Sequence, residues 1–197
     1  MILRAFRKRL IWLMLALPCV VLQAHAAQVL DVHVDRDGPH FVIDMHIAID
    51  APPQAVFRAL QDYSAMARYN PDLRAVRVER TSVPDRVRLF TSIHACVLIF
   101  CKMMHQEQIM TATAGAQGGV LNAVFVANAG DFKEGHGRWT VAVCSTGRSR
   151  SCLDAEIELT PAFWVPPVIG AWVIRGMMEQ EAERTSVGLE RMAGGPG

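Results

Sequence analysis

The sequence predicts an α+β domain in which a strongly curved antiparallel β-sheet wraps around a long C-terminal α-helix. Three features support this prediction. Segments of alternating apolar and polar residues, typical of strands with one buried face, occupy most of residues 29–160. Two short helical segments follow the first strand pair, and one long helical segment closes the chain at residues 166–192.

Residues 29–35 and 40–50 are predicted to form a β-hairpin, because Asp37-Gly38 between them is a strong turn signal. The apolar side chains of the second arm lie on one face, namely Phe41, Ile43, Met45, Ile47 and Ile49. Two short helices are predicted next, at residues 53–62 and 63–69. The first begins with Pro53, which suits a helical turn whose backbone donors have no partner.

The pattern then predicts six strands, at about residues 74–80, 86–95, 102–112, 120–127, 137–144 and 152–160. The long C-terminal helix has an apolar stripe that is predicted to face the sheet. The stripe consists of Ile169, Trp172, Val173 and Gly176, followed by Ala182, Ser186, Leu189 and Met192. One domain is therefore expected at residues 27–193, with a flexible tail at residues 194–197.

Residues 1–26 have the pattern of a secretory signal peptide. A basic start is followed by an apolar run at residues 10–22 and by Ala24-His25-Ala26, a small-x-small cleavage pattern. The run is 13 residues long, whereas a helix that spans a bilayer needs about 20. We expect cleavage after Ala26 and a periplasmic or secreted mature protein.

Composition argues against a nucleic-acid partner. Removal of residues 1–26 takes away four of the 20 basic residues and none of the 19 acidic residues, which leaves a net charge of −3. Proteins that bind nucleic acid through its phosphates are usually basic. No nucleophile elbow, phosphate-binding glycine loop or HExxH zinc motif is present, so no cofactor is predicted.

The mature chain has four cysteines, Cys96, Cys101, Cys144 and Cys152. An even number in an exported protein predicts two disulfides, and neighbours in sequence are suited to pair, although three pairings are possible. An alternative is a zinc site formed by His94, Cys96, Cys101 and His105. The oxidising compartment favours disulfides over a metal.

The segment between Cys96 and Cys101 is entirely apolar, with the residues Val97, Leu98, Ile99 and Phe100. Apolar residues are most often buried, so the favoured prediction is that this segment folds into the core. The alternative is an exposed lid that contacts a membrane transiently.

Residues 47–76, with a strand, Asp50-Ala51-Pro52-Pro53 and a short amphipathic helix, resemble the opening of the START-like (SRPBCC) superfamily. Residues 161–170 and the pair Asp131-Phe132 with Gly137-Arg138-Trp139 are similar to secreted bacterial members. The superfamily includes polyketide cyclases/dehydrases and coenzyme Q-binding START domain proteins. The resemblance implies a helix-grip fold that encloses one apolar molecule.

The function implied by this resemblance is a periplasmic carrier of a lipid, quinone or polyketide-like molecule. The residues expected to line its cavity, between the sheet and the C-terminal helix, are Leu89, Phe125, Trp139, Val141, Ile157, Ile169, Trp172 and Val173. The alternative is a polyketide cyclase or dehydratase, which would need Arg88, His105 and Tyr63 to converge inside the same cavity. A third possibility is an envelope module that binds partners through its exterior.

Overall fold

The structure is a computed structural model that describes residues 27–97, 100–145, 151–167 and 170–194. Its strands are β1 (Gln28–Asp37), β2 (His40–Ile49), β3 (Leu73–Arg80), β4 (Arg86–Val97), β5 (Phe100–Gly115), β6 (Gly118–Gly130), β7 (Phe132–Val143) and β8 (Ser151–Pro161). Its helices are α1 (Pro53–Gln61), a 3-10 helix (Tyr63–Arg68) and α2 (Ala171–Met192). The predicted α+β helix-grip fold and the order of its elements are confirmed.

The eight strands form one antiparallel sheet in the order β1-β2-β8-β7-β6-β5-β4-β3. All neighbours except β2 and β8 are consecutive in the sequence. The chain leaves the sheet after β2, passes through α1 and the 3-10 helix, and returns at the far edge as β3. The two short helices therefore lie across the face of the sheet that also holds α2.

The main core lies between this helix-facing side of the sheet and the helices. Ile47 lies opposite Leu153, and Leu153 lies opposite Val141. These side chains form one buried cluster with α1 and with Ala182 and Leu189 of α2. Gly119 in β6 permits this contact, because a Cβ atom there would overlap the ring of Phe57 on α1.

The structure corrects the stripe predicted for the first half of the C-terminal helix. The helix begins at Ala171 rather than residue 166, after Gly170 in an extended conformation. Ala171, Ile174 and Met178 pack on the buried cluster of β1 and β2, whereas Trp172 is 72% exposed. Successive helical residues are about 100° apart, so Trp172 is turned away from this contact face, whereas Val173, its neighbour in the predicted stripe, is buried.

Several predicted features lie outside the described residues. They are the signal segment, residues 1–26; Leu98 and Ile99, together with the side chains of Val97 and Phe100; Ile169; and the end of the tail, residues 195–197. No helix in the described ranges combines the length and the apolar character needed to cross a bilayer.

Candidate ligand-binding site

α2 packs mainly on β1 and β2 and makes few contacts with the helix-facing wall of β4, β5 and β6. Leu89, Met110 and Ala123 form a buried cluster on this wall. The cluster is closed by Tyr63 and Met66 from the 3-10 helix, with Val76, Val87 and Trp139 at its sides. A 3-10 helix is a weak element, and none of the six residues of this one is buried.

A polar strip crosses this apolar wall. It consists of Thr91 on β4 and of Gln106 and Gln108 on β5. The Gln108 side-chain amide donates a hydrogen bond to Oε1 of Gln106 (2.6 Å), and the Thr91 hydroxyl donates to the same oxygen (3.3 Å). Thr91 and Gln108 are buried, at positions where strands usually carry apolar residues. Their hydrogen bonds satisfy polar groups that are buried away from water.

This strip is not among the site residues predicted from the sequence, although the sequence contains a signal for it. The alternation of β5 places Gln106 and Gln108 on the same face as Met104 and Met110. Two amides in an otherwise apolar register indicate a polar patch on a buried face. Their partner Thr91 becomes recognisable only when the register of β4 against β5 is known, since Thr91 lies opposite Gln106.

Several of the predicted cavity residues do lie on the helix-facing side. Leu89 and Val141 are almost fully buried, and Trp139 packs against the clusters that contain each of them. Ile157 packs with the β1–β2 cluster instead, and Phe125 contacts Phe132 in a tilted arrangement with ring centroids 5.2 Å apart.

The two predicted cavity residues of α2, Trp172 and Val173, have different environments. Val173 is buried, but the exposed Trp172 does not line an interior. The predicted cavity residues therefore lie in different packing environments and do not surround one cavity.

None of the seven described cavity candidates lines either of two clefts that lie in the described part of the chain. One, of about 490 Å³, lies between α1, the 3-10 helix and the end of α2, and its lining includes Arg58, Arg68 and Arg191. The other, of about 360 Å³, lies over β3, β4 and β5, and its lining includes Phe90, His105 and two residues of the polar strip, Thr91 and Gln106. Around Leu89, Met110 and Ala123 the wall is covered by Tyr63 and Met66.

The polar residues proposed for an enzyme do not converge. Arg88 pairs with Glu107 (Nη1 to Oε1, 3.3 Å), and His105 Nδ1 lies 2.9 Å from the Ser92 hydroxyl. By strand alternation these residues share the face opposite Leu89, which is the outer face of the sheet. Tyr63 lies on the helix side, where burial raises its pKa to about 12. The sheet therefore separates Tyr63 from the other two.

The carboxyl groups of Glu181 on α2 and of Asp72, just before β3, lie close together. Burial, followed by the negative charge of Asp72, raises the pKa of Glu181 to about 7. Thr185 donates a hydrogen bond to Glu181 (3.2 Å), and Arg184 contacts Asp72 (3.4 Å). This carboxyl group can exchange a proton near neutral pH, but its contacts are with its own helix and with Asp72.

Both predicted disulfides are present, as Cys96–Cys101 and Cys144–Cys152. Cys96 and Cys101 lie opposite each other where β4 ends and β5 begins. His94, Cys96 and Cys101 lie close together, with His94 Nε2 4.0 Å from Cys96 Sγ. His105, the fourth residue of the zinc alternative, is not in this group. Because zinc binds thiolates, the disulfide removes two of these ligands.

Asp131 contacts the β5 arm of this hairpin near its tip. Desolvation alone would raise the pKa of Asp131, but the backbone amide of His105 and the Lys102 ammonium hold it below its usual range. The amide nitrogen of His105 is 2.7 Å from Oδ2, and Lys102 Nζ is 3.0 Å from Oδ1. The same ammonium lies 5.0 Å from the ring of Phe163, which brings the segment after β8 to the hairpin.

The chain matches a known protein family. The model of the family described as polyketide cyclase/dehydrase and lipid transport matches residues 40–191. A search of curated proteins found no match to the chain.

Solved structures share the fold. A STAR-related lipid transfer protein from Xanthomonas axonopodis is similar with a TM-score of 0.63 and 12% identity, over 85% of this chain and 98% of that one. The lipid transfer and protein localization domain of human StarD13 has a TM-score of 0.59 and 12% identity, over 85% and 84% of the two chains. The Zhui aromatase/cyclase from Streptomyces sp. R1128 has a TM-score of 0.53 and 14% identity, over 78% and 91%.

The resemblance to the START-like superfamily is therefore confirmed, and family and fold fit a domain that binds a hydrophobic ligand or cyclises polyketides. The chain belongs to the polyketide cyclase/dehydrase and lipid transport family.

Proposed function

We propose that this protein is a periplasmic carrier that binds one hydrophobic molecule with a polar end against the helix-facing wall of β4, β5 and β6. The observation that supports this most is the hydrogen-bonded strip of Thr91, Gln106 and Gln108 inside an apolar wall. Ligand sites of this kind are mainly apolar, with a few polar groups that fix orientation. A quinone, or a lipid with carbonyl groups, has the chemistry that matches two amides and a hydroxyl.

The wall is filled by Tyr63 and Met66, so the ligand must displace them to enter. Both side chains belong to the 3-10 helix, which contributes no buried residue to the core. Methionine is flexible and adapts to different shapes. Movement of this one short helix would open the wall while the β1–β2–α2 core stays intact.

The segment after β8 suits contact with a membrane. Trp164 and Trp172 are 76% and 72% exposed, and Phe163, which precedes Trp164 in the sequence, contacts Lys102 near the tip of the β4–β5 hairpin. Tryptophan is enriched where proteins meet the membrane interface. We name Phe163, Trp164 and Trp172 the aromatic rim, and propose that it contacts the bilayer while ligand is transferred.

The enzyme alternative has weaker support, because Arg88 and His105 lie on the outer face of the sheet while Tyr63 lies on the helix side. A carrier needs only the wall and a means of opening it. Sustained turnover of an aromatic polyketide mimic by the purified protein would reverse this ranking.

Adjacent residues of β6 provide a matched test of the binding wall. Ala123 is buried on the helix side, whereas Val124 is 57% exposed on the outer face. Ala123→Leu should lower the affinity for a short-chain ubiquinone analogue or a fluorescent fatty acid at least fivefold, and Val124→Leu should leave it unchanged. Circular dichroism of both variants is the check that each one folds. Equal affinity of the two folded variants would place the ligand elsewhere.

A further inference from the structure

A buried acid on the last helix lacks a cation. Glu190 is 5% exposed and lies in the last turn of α2. A helix C-terminus is a poor place for a negative charge, and a buried carboxylate needs a charged or strongly hydrogen-bonding partner. Within the described ranges, no Lys or Arg side chain forms an ion pair with Glu190.

One polar contact to this carboxylate comes from the other end of the domain. The backbone nitrogen of Ala27 donates to Glu190 Oε2 at 3.1 Å. Glu190 Oε1 is buried without a hydrogen-bond partner, and no other buried side-chain oxygen or nitrogen of the described residues is in this position. An amide N–H has one hydrogen and no charge, so it satisfies only one of the two oxygens.

We propose that proteolytic cleavage of the Ala26–Ala27 bond is a modification that completes this site, because it converts the Ala27 nitrogen into an ammonium group that pairs with Glu190. A signal-peptidase-type protease adds water across the bond. Ala26 leaves with a carboxylate, and Ala27 keeps an amine that is protonated at neutral pH. The new group has three hydrogens and a positive charge, which matches both oxygens of the buried acid.

Two independent observations indicate the same bond. Ala24-His25-Ala26 is the small-x-small pattern that predicts cleavage after Ala26. The contact with Glu190 is made by the nitrogen on the far side of that bond, and by no neighbouring nitrogen of β1. Processing then fastens the start of the first strand to the end of the last helix, and the mature fold depends on the position of the cut.

The first test is the N-terminus of the full chain after export in a bacterial host. Sequencing and intact mass of the periplasmic protein should give Ala27 as the first residue. Any other first residue overturns the proposal. This test does not depend on ligand binding, so it can succeed or fail separately from the proposed carrier function.

The second test is a double-mutant cycle in the exported full chain. One serine inserted between Ala26 and Ala27 keeps the cleavage pattern and moves the new amine by one residue, about 3.8 Å. The insertion and Glu190→Gln should each raise the unfolding equilibrium constant about tenfold or more. The two together should cost no more than either alone, because they break the same interaction.

Glu183→Gln is the control, since Glu183 is an exposed acid on the same helix. Its effect should be under twofold and additive with the insertion. Additive effects of Glu190→Gln and the insertion would overturn the proposal.

If Glu190→Gln does not fold, the reactivity of the α-amine decides the question in the native sequence. The amine of the mature protein should react with an acylating reagent at least tenfold more slowly than that of the insertion variant. Peptide mapping separates this amine from the two lysines that follow it, Lys102 and Lys133. Equal rates would show that the amine is free, and would overturn the proposal.

Discussion

Gln108 donates a hydrogen bond from its side-chain amide to Gln106 over 2.6 Å, on a strand face that it shares with Met104 and Met110. The Thr91 hydroxyl shares the same acceptor, so the oxygen of Gln106 receives two hydrogen bonds. This arrangement leaves Gln106 bonded when Gln108 is removed, and the contribution of Gln108 to binding can be measured separately from its contribution to the fold.

Gln108→Leu should therefore weaken binding more than it weakens folding. We expect at least a fivefold loss of affinity for a ubiquinone analogue, because the wall loses a polar group that orients the ligand. The unfolding free energy should change by only about 1 kcal/mol, since the apolar replacement suits a buried site. Fluorescence titration and urea unfolding measure the two quantities. Gln117→Leu, at an exposed turn, is the control. An unchanged affinity would remove the strip from the binding site.

The aromatic rim predicts binding to vesicles. Trp164→Ala with Trp172→Ala should reduce the partition of the protein into phosphatidylcholine vesicles at least fivefold, because exposed indoles favour the interface. Sedimentation with vesicles measures the bound fraction. Val124→Ala removes an exposed apolar side chain from the outer face of β6 and should have no effect. Vesicle binding by the double variant equal to that of the wild type would exclude the rim.

Glu181 predicts a dependence of stability on pH. The pKa of its carboxyl group is raised from 4.5 to about 7 in the folded chain, first by burial and then by Asp72. The folded chain therefore holds more protons than the unfolded chain between these values, and the unfolding free energy falls as pH rises through this window.

Glu181→Gln should remove that part of the slope. The variant should gain stability relative to the wild type by about 1 kcal/mol at pH 8, a value reduced for partial exposure of the group. Urea unfolding at pH 5 and pH 8 provides the measurement. Glu183→Gln should keep the wild-type slope, and a loss of slope there would show that Glu181 is not the titrating group.

The two disulfides should differ in their resistance to reductants. Cys96 and Cys101 are exposed, whereas Cys144 is buried. Low concentrations of dithiothreitol should open Cys96–Cys101 first, because thiolate attack needs access to a sulfur atom. Alkylation followed by mass spectrometry identifies the free thiols. Loss of Cys144–Cys152 should then cost about 2–3 kcal/mol of stability. Earlier reduction of Cys144–Cys152 would contradict this order.

The strands and helices could be predicted because their signals are local. Alternation predicted the strands at residues 137–144 and 152–160, and Asp37-Gly38 marked the first hairpin, where Gly38 has a φ of 57°. The contact face of α2 could not be fixed in the same way. Both faces of its first half are apolar, and only the position of α2 over β1 and β2 selects Ile174 rather than Trp172.

The candidate site required information that the sequence does not contain. Arg88 and His105 were grouped with Tyr63 by residue type, but the register of β4 and β5 places them on the outer face. The contact between Ala27 and Glu190 joins residues 163 positions apart and has no sequence pattern. Such relationships depend on the order of strands in the sheet.

The most direct test of the carrier function is native mass spectrometry of protein purified from the periplasm without detergent. We expect one apolar molecule per chain, released by organic solvent and largely missing from Gln108→Leu. Displacement of the 3-10 helix should accompany binding, as faster amide exchange at residues 63–68. Protein that is consistently free of any such molecule, and that takes up neither quinones nor lipids when they are supplied, would contradict the account.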